Sequence, residues 1–104
     1  MKTIVVRYKT KPERAEENAR LVEKVYAELN EQRPGGFRYV TLRLDDGVSF
    51  VHILTETEAG GDSLAEQAAF KAFVAAVGER FEEPPVAMQA SVVGSYLVDI
   101  FGSA

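Results

Sequence analysis

The sequence predicts an α+β domain of element order β-α-β-β-α-β, with two helices on one face of a four-stranded antiparallel sheet of order 4-1-3-2. Three observations carry this. The hydrophobic pattern switches between a period of about 2 and one of about 3.6 along the chain. Turn or stop residues fall at the switches. The chain has 104 residues with 46% apolar content, which suits one domain, 1–104, with one core.

Residues 3–10, TIVVRYKT, are β-branched and aromatic, with Ile4, Val6 and Tyr8 on one side and Val5 and Arg7 on the other; they read as the first strand. Thr10 and Glu13 have capping-box spacing, and Pro12 fits only a first helical turn. Ala15, Ala19, Val22, Val25, Tyr26 and Leu29 then recur at helical spacing, giving about five turns of amphipathic helix. Arg33-Pro34-Gly35-Gly36 stops it. Residues 37–44, FRYVTLRL, alternate again, and Asp45-Asp46-Gly47 reverses the chain into GVSFVHILT, a hairpin.

After the loop Ala59-Gly60-Gly61-Asp62, Ser63 and Glu66 have the spacing of a second capping box. The buried stripe of the second helix is expected at Ala69, Phe70, Phe73, Ala76, Val77 and Phe81, with Lys71, Glu79 and Arg80 outside. Glu82-Glu83-Pro84-Pro85 ends it, because the residue before a proline resists helical geometry. Residues 86–93, VAMQASVV, form the last strand, and Gly94-SYLVDIF continues it or adds a short tail strand.

This order is the split arrangement of ferredoxin-like domains, in which right-handed crossovers put both helices on one face. Ile4, Val6, Val40, Leu42, Leu44, Val51, Ile53, Met88, Ala90 and Val92 are expected to face the helices. Val5, Arg7, Tyr39, Thr41, Arg43, Phe50, His52, Leu54, Gln89, Ser91 and Val93 are then expected on the opposite face. So large an apolar patch there marks an interaction surface, and a second copy packed sheet to sheet through Val5, Phe50 and Leu54 would cover it.

Twelve basic against sixteen acidic residues, net charge −4 with no basic block, leave no electrostatic footprint for nucleic acid or an acidic membrane surface. The absence of cysteine excludes disulfides, thiolate metal sites and a cysteine nucleophile, and suits a reducing cytoplasm. One histidine without cysteines also argues against a bound metal. MKTIVVRYKTK has neither the apolar run nor the cleavage site of a signal peptide.

From the TIVVRYKTK strand through GVSFVHILTETE and AFKAFVAAVGERFEEPPV to VVGSY, the chain resembles the dimeric α+β barrel superfamily that includes the antibiotic biosynthesis monooxygenase-like proteins. The resemblance implies a homodimer with a cleft. Its members include cofactor-free oxygenases of aromatic polyketides, haem-degrading enzymes, lactone isomerases and small proteins with no assigned activity, and this chain is closest in kind to the last. It lacks the tryptophan that several of the oxygenases and haem degraders use, and His52 lies on a predicted strand where the haem-ligating histidine of that branch lies on a helix. No cofactor is expected.

Two readings of His52 stay open: an interface histidine held by a neighbour, or a general base beside a bound molecule. Arg7 and Arg43 are either interface ion-pair donors or forks for a carboxylate or phenolate. Tyr39 and Phe50 suit packing or the wall of an aromatic pocket, with Gln89 and Ser91 as further polar groups on that face. The functional expectation is a homodimer that binds a small aromatic or acidic molecule in a cleft. The alternative is a cofactor-independent monooxygenase or isomerase with His52 as base. An arginine-lined cleft would favour aromatic acids over their neutral amides.

Overall fold

The computed structural model describes residues 2–56, 64, 67–75 and 77–96. Strand β1 (Lys2–Thr10) leads through a single 3₁₀ turn (Pro12–Arg14) into helix α1 (Ala15–Gln32). Strands β2 (Phe37–Arg43) and β3 (Ser49–Glu56) form the hairpin. Helices α2 (Ala68–Val74) and α3 (Val77–Arg80) then run directly into β4 (Phe81–Ala90). The sheet order is β2-β3-β1-β4, with all pairings antiparallel, and the helices cover one face. The predicted architecture therefore holds.

Several local expectations do not. Thr10 does not cap α1; its hydroxyl donates to the Val48 carbonyl, tying the end of β1 to the hairpin instead. The second helix is shorter than its apolar stripe suggested. Ala75 adopts extended geometry and ends α2, so Phe81 begins a strand, although its ring still packs in the core. Pro84 and Pro85 lie inside β4, which is possible because β4 is an edge strand, where a missing N–H need not interrupt a ladder. Between the pairs Arg7↔Val86 and Lys9↔Glu83, β4 carries one extra residue, so the prolines sit at a bulge. The second capping box and residues 97–104 of the expected tail lie outside the described residues, and 91–96 are not strand.

The largest correction concerns which side of the sheet is inside. Directly opposed residues of an antiparallel pair share a face. Val6 opposes His52, Tyr8 opposes Phe50 and Ile4 opposes Leu54; on the other flank of β3, Thr41 opposes His52 and Tyr39 opposes Leu54. All of these face the helices. Phe50 and Tyr8 are buried with Val22, Val25, Phe73 and Phe81 in the core cluster. Val5, Val40, Leu42, Val51, Ile53, Val86 and Met88 share the opposite, open face by the same register. Leu42, Val86 and Met88 there are 47%, 56% and 68% exposed. The sequence reading had β1 the right way round and β2, β3 and β4 inverted. Both sides of β3 are apolar, so alternation alone could not choose between them; in the structure the side bearing the Phe50 and His52 rings packs under the helices.

Candidate functional site

The chemistry of this chain gathers inside the protomer, between sheet and helices. His52 is only 5% exposed. Its position on β3 puts it between Val6 of β1 and Thr41 of β2. Both ring nitrogens are engaged. The Tyr8 hydroxyl lies 2.7 Å from Nε2, and the Tyr39 hydroxyl lies 2.5 Å from Nδ1, with Thr41 Oγ1 at 3.2 Å from the same nitrogen. Tyr26 reaches down from α1 to bond Thr41 Oγ1 at 2.8 Å.

From the other side, Asn18 Nδ2 donates to the Tyr8 hydroxyl at 2.9 Å, and Arg80 Nε donates to Asn18 Oδ1 at 3.2 Å. Arg80 is 1% exposed; its two remaining nitrogens donate to the carbonyls of Ala75 (3.1 Å) and Phe73 (2.5 Å), and its guanidinium lies over the Phe73 and Phe81 rings. It therefore satisfies the carbonyls freed where α2 ends, and a buried cation is tolerable because its hydrogen-bond donors and ring contacts are so well matched. One continuous chain results: Arg80, Asn18, Tyr8, His52, Tyr39 with Thr41, and Tyr26. Among the described residues no buried side-chain nitrogen or oxygen lacks a partner.

Burial sets the protonation of this chain. It pushes the His52 imidazole down to about 4, so the ring is neutral at pH 7. Burial pushes the Tyr8 phenol up to about 12, against an opposing pull from the Asn18 hydrogen bond and the Arg80 charge, and it pushes Tyr26 up to about 12. Tyr39 is raised as well, chiefly by burial. The network is thus a set of neutral groups ending on one cation.

Beside it lies a cavity of about 220 Å³. The sheet contributes Ile4, Val6 and Leu54 to its walls, and α2 contributes Phe70, Phe73 and Val74. Tyr8, Tyr39 and His52 close one side. The lining is almost all carbon, since the polar atoms of those three rings are occupied with one another. Such a space suits an apolar molecule and is unfavourable for an unpaired charge.

Of the residues expected to form the site, the structure brings together His52 and Tyr39. Phe50 is adjacent but packed in the core against Tyr8, with ring centroids 5.6 Å apart and planes at 14°. The two arginines do not converge on His52. Arg7 opposes Val51 and so belongs to the open face. Arg43 is on the helix side but at the hairpin end, where it donates to the Gly47 carbonyl at 2.9 Å, pairs with Glu16 at 3.3 Å and stacks on Phe50. Gln89 opposes Ile4 on the edge strand and is exposed, and Ser91 is exposed beyond its end. The expected cationic cleft is therefore not formed.

Tyr8, Asn18, Tyr26 and Arg80 were not read as site residues. Asn18 carried a legible signal: it sits on the apolar stripe of α1, between Ala15 and Val22, where a polar side chain needs a buried partner. Arg80 carried none, because its burial depends on α2 ending at Ala75. Among the described residues no group of three or more His, Cys, Asp or Glu side chains is arranged to hold a metal ion, and no helix is long and apolar enough to cross a membrane.

No protein-family model and no curated protein sequence matches the chain. Solved structures do match. An antibiotic biosynthesis monooxygenase is similar over 90% of this chain and 100% of its own (18% identity, TM-score 0.71). Rv0793 from Mycobacterium tuberculosis is similar over 90% and 96% (16% identity, TM-score 0.69). SnoaB from Streptomyces nogalater, a cofactor-independent oxygenase, is similar in a mutant form over 93% and 97% (18% identity, TM-score 0.65). The chain thus has the fold of the antibiotic biosynthesis monooxygenase-like proteins, the ferredoxin-like α+β arrangement described above.

Proposed function

We propose that this protein is a homodimer whose protomers each bind a small, flat, neutral aromatic molecule in the cavity beside His52. The observation that supports the ligand class most directly is the carbon lining of a space of about 220 Å³ with no arginine or lysine on its walls. An apolar cavity of about 150 Å³ admits benzene, so a bicyclic hydrocarbon is the matching size here. This replaces the expected preference for aromatic acids, which rested on arginines that lie elsewhere. Homodimerisation is supported by the open face, where half-buried Val5, Val40, Val51 and Ile53 continue into exposed Leu42, Val86 and Met88, an apolar patch that a monomer would leave partly wet. Calorimetric titration with naphthalene and with 2-naphthoate tests the ligand class. Naphthalene binding with the carboxylate at least tenfold weaker is expected; equal or stronger binding of the carboxylate would contradict the reading.

One observation favours a second reading, a cofactor-independent monooxygenase or isomerase in which His52 is the general base. The Tyr8 and His52 rings line the cavity and the Tyr8 hydroxyl lies 2.7 Å from His52 Nε2, so a neutral imidazole, weakened as a base by its burial, stands one hydrogen bond behind the wall. The substrate would supply the electrons, and for an oxygenase a CH₂ group would become a carbonyl while O₂ is reduced to one inserted oxygen and water. Oxygen uptake that requires both protein and a bound aromatic CH acid, and that His52→Gln abolishes, is the expected signature. Uptake unaffected by that change would rule His52 out as the base.

A further inference from the structure

The buried chain has a direction, and one end of it sets that direction. A guanidinium has only donors, so the atom that Asn18 turns to Arg80 Nε at 3.2 Å is its carbonyl oxygen, and the atom it turns to Tyr8 at 2.9 Å is its NH₂ group. The Tyr8 oxygen therefore accepts from Asn18. Its own proton is left for the remaining partner, His52 Nε2, at 2.7 Å. Nε2 must then be the bare nitrogen. A neutral imidazole with bare Nε2 carries its proton on Nδ1, where the Tyr39 oxygen at 2.5 Å and Thr41 Oγ1 at 3.2 Å stand as acceptors.

We infer that Arg80 and Asn18 are positioning residues that fix His52 as the Nδ1–H tautomer and commit its basic Nε2 to the Tyr8 hydroxyl. Neither residue needs to touch a bound molecule to do this. For the second reading above the consequence is specific: the one imidazole nitrogen able to accept a proton faces the Tyr8 hydroxyl and not the cavity, so any proton it takes up comes by way of that hydroxyl. The inference about the tautomer does not depend on that reading, since it concerns the ligand-free protein.

The chain has a single histidine, so long-range ¹H–¹⁵N correlation spectra of ¹⁵N-labelled, untagged protein report one imidazole without assignment. At pH 7 the expected pattern is protonated Nδ1 and bare Nε2; protonated Nε2, or an averaged mixture of tautomers, would overturn the inference. Asn18→Asp tests the cause. A carboxylate has no proton to give, so the Tyr8 hydroxyl would donate to it and accept from His52, and the spectrum should change to Nε2–H or to a doubly protonated ring. Persistence of Nδ1–H with bare Nε2 in folded N18D would overturn the role of Asn18. Thr41→Val, at the other end, should leave the wild-type pattern intact because Tyr39 still accepts from Nδ1; a switch of tautomer in T41V would contradict control from the Arg80 end.

Discussion

His52 is the residue whose environment most changes what the chain can do. Held inside a carbon-lined layer and bonded on both nitrogens to phenols, it is neutral in the fold and free to protonate when unfolded. The sign of the pH effect follows. The unfolded chain takes up a proton near the ordinary value of 6.5, while the folded chain resists until about 4, so stability is full above pH 6.5 and is lost as pH falls through that window. The gap corresponds to about 3 kcal/mol. Urea unfolding followed between pH 7 and pH 4 should show a loss of that order beyond what the carboxylates contribute, and His52→Gln, which removes the titrating ring, should lack it. Tyr8 and Tyr26, both pushed up to about 12, act at the alkaline end: the stability they contribute is present below pH 10 and lost as pH rises from there towards 12. At the same scale, Phe50→Ala removes a 2% exposed ring and should cost about 3–5 kcal/mol, read as a lowered denaturant midpoint. Such a loss separates a core role from the interface role that the sequence suggested.

Strand β3 is the element that decides between those roles, because it carries the core on one face and the apolar open face on the other. Phe50, His52 and Leu54 lie with the helices; Val51 and Ile53 lie opposite, paired with Arg7 and Leu42 and with Val5 and Val40. Ile53→Glu should therefore give a folded monomer by placing a charge in the centre of the proposed seam, with far-ultraviolet circular dichroism unchanged and sedimentation equilibrium halving the mass. A dimeric I53E protein would place the interface elsewhere. Phe50→Glu, by contrast, should fail to fold. The element pattern was legible in the sequence because the β1 alternation, the α1 stripe and the Asp45-Asp46-Gly47 turn each admit one local structure. Gly47 indeed takes φ 77°, and Asp46 accepts hydrogen bonds from the Val48 and Ser49 amides behind it. What was not legible was the facing of β3, whose two sides are equally apolar, and the break at Ala75, which no proline or glycine marks.

At the scale of the whole molecule, the cavity and the polar chain depend on each other. Packing His52 between two phenols uses up the polar atoms that would otherwise line the space, so a reactive-looking cluster of Tyr8, Tyr39 and His52 encloses a pocket that accepts apolar rings. That relation could not be read from residue types alone, since the same three residues with free hydroxyls would have favoured a polar ligand. The two arginines, legible as charges in the sequence, lie outside the site: Arg43 pairs with Glu16 at the hairpin end, and Arg7 belongs to the open face. Saturating ligand at about one hundred times its dissociation constant should add about 2.7 kcal/mol to stability. Val74→Trp, at a wall position that is 46% exposed, should fill the cavity mouth and abolish that gain without unfolding the protein. The most direct measurement is where the molecule sits. Intermolecular nuclear Overhauser effects from naphthalene should reach Phe73, Leu54 and the carbon-bound protons of the single imidazole; effects confined to Val51, Ile53 and Met88 on the open face would contradict the account.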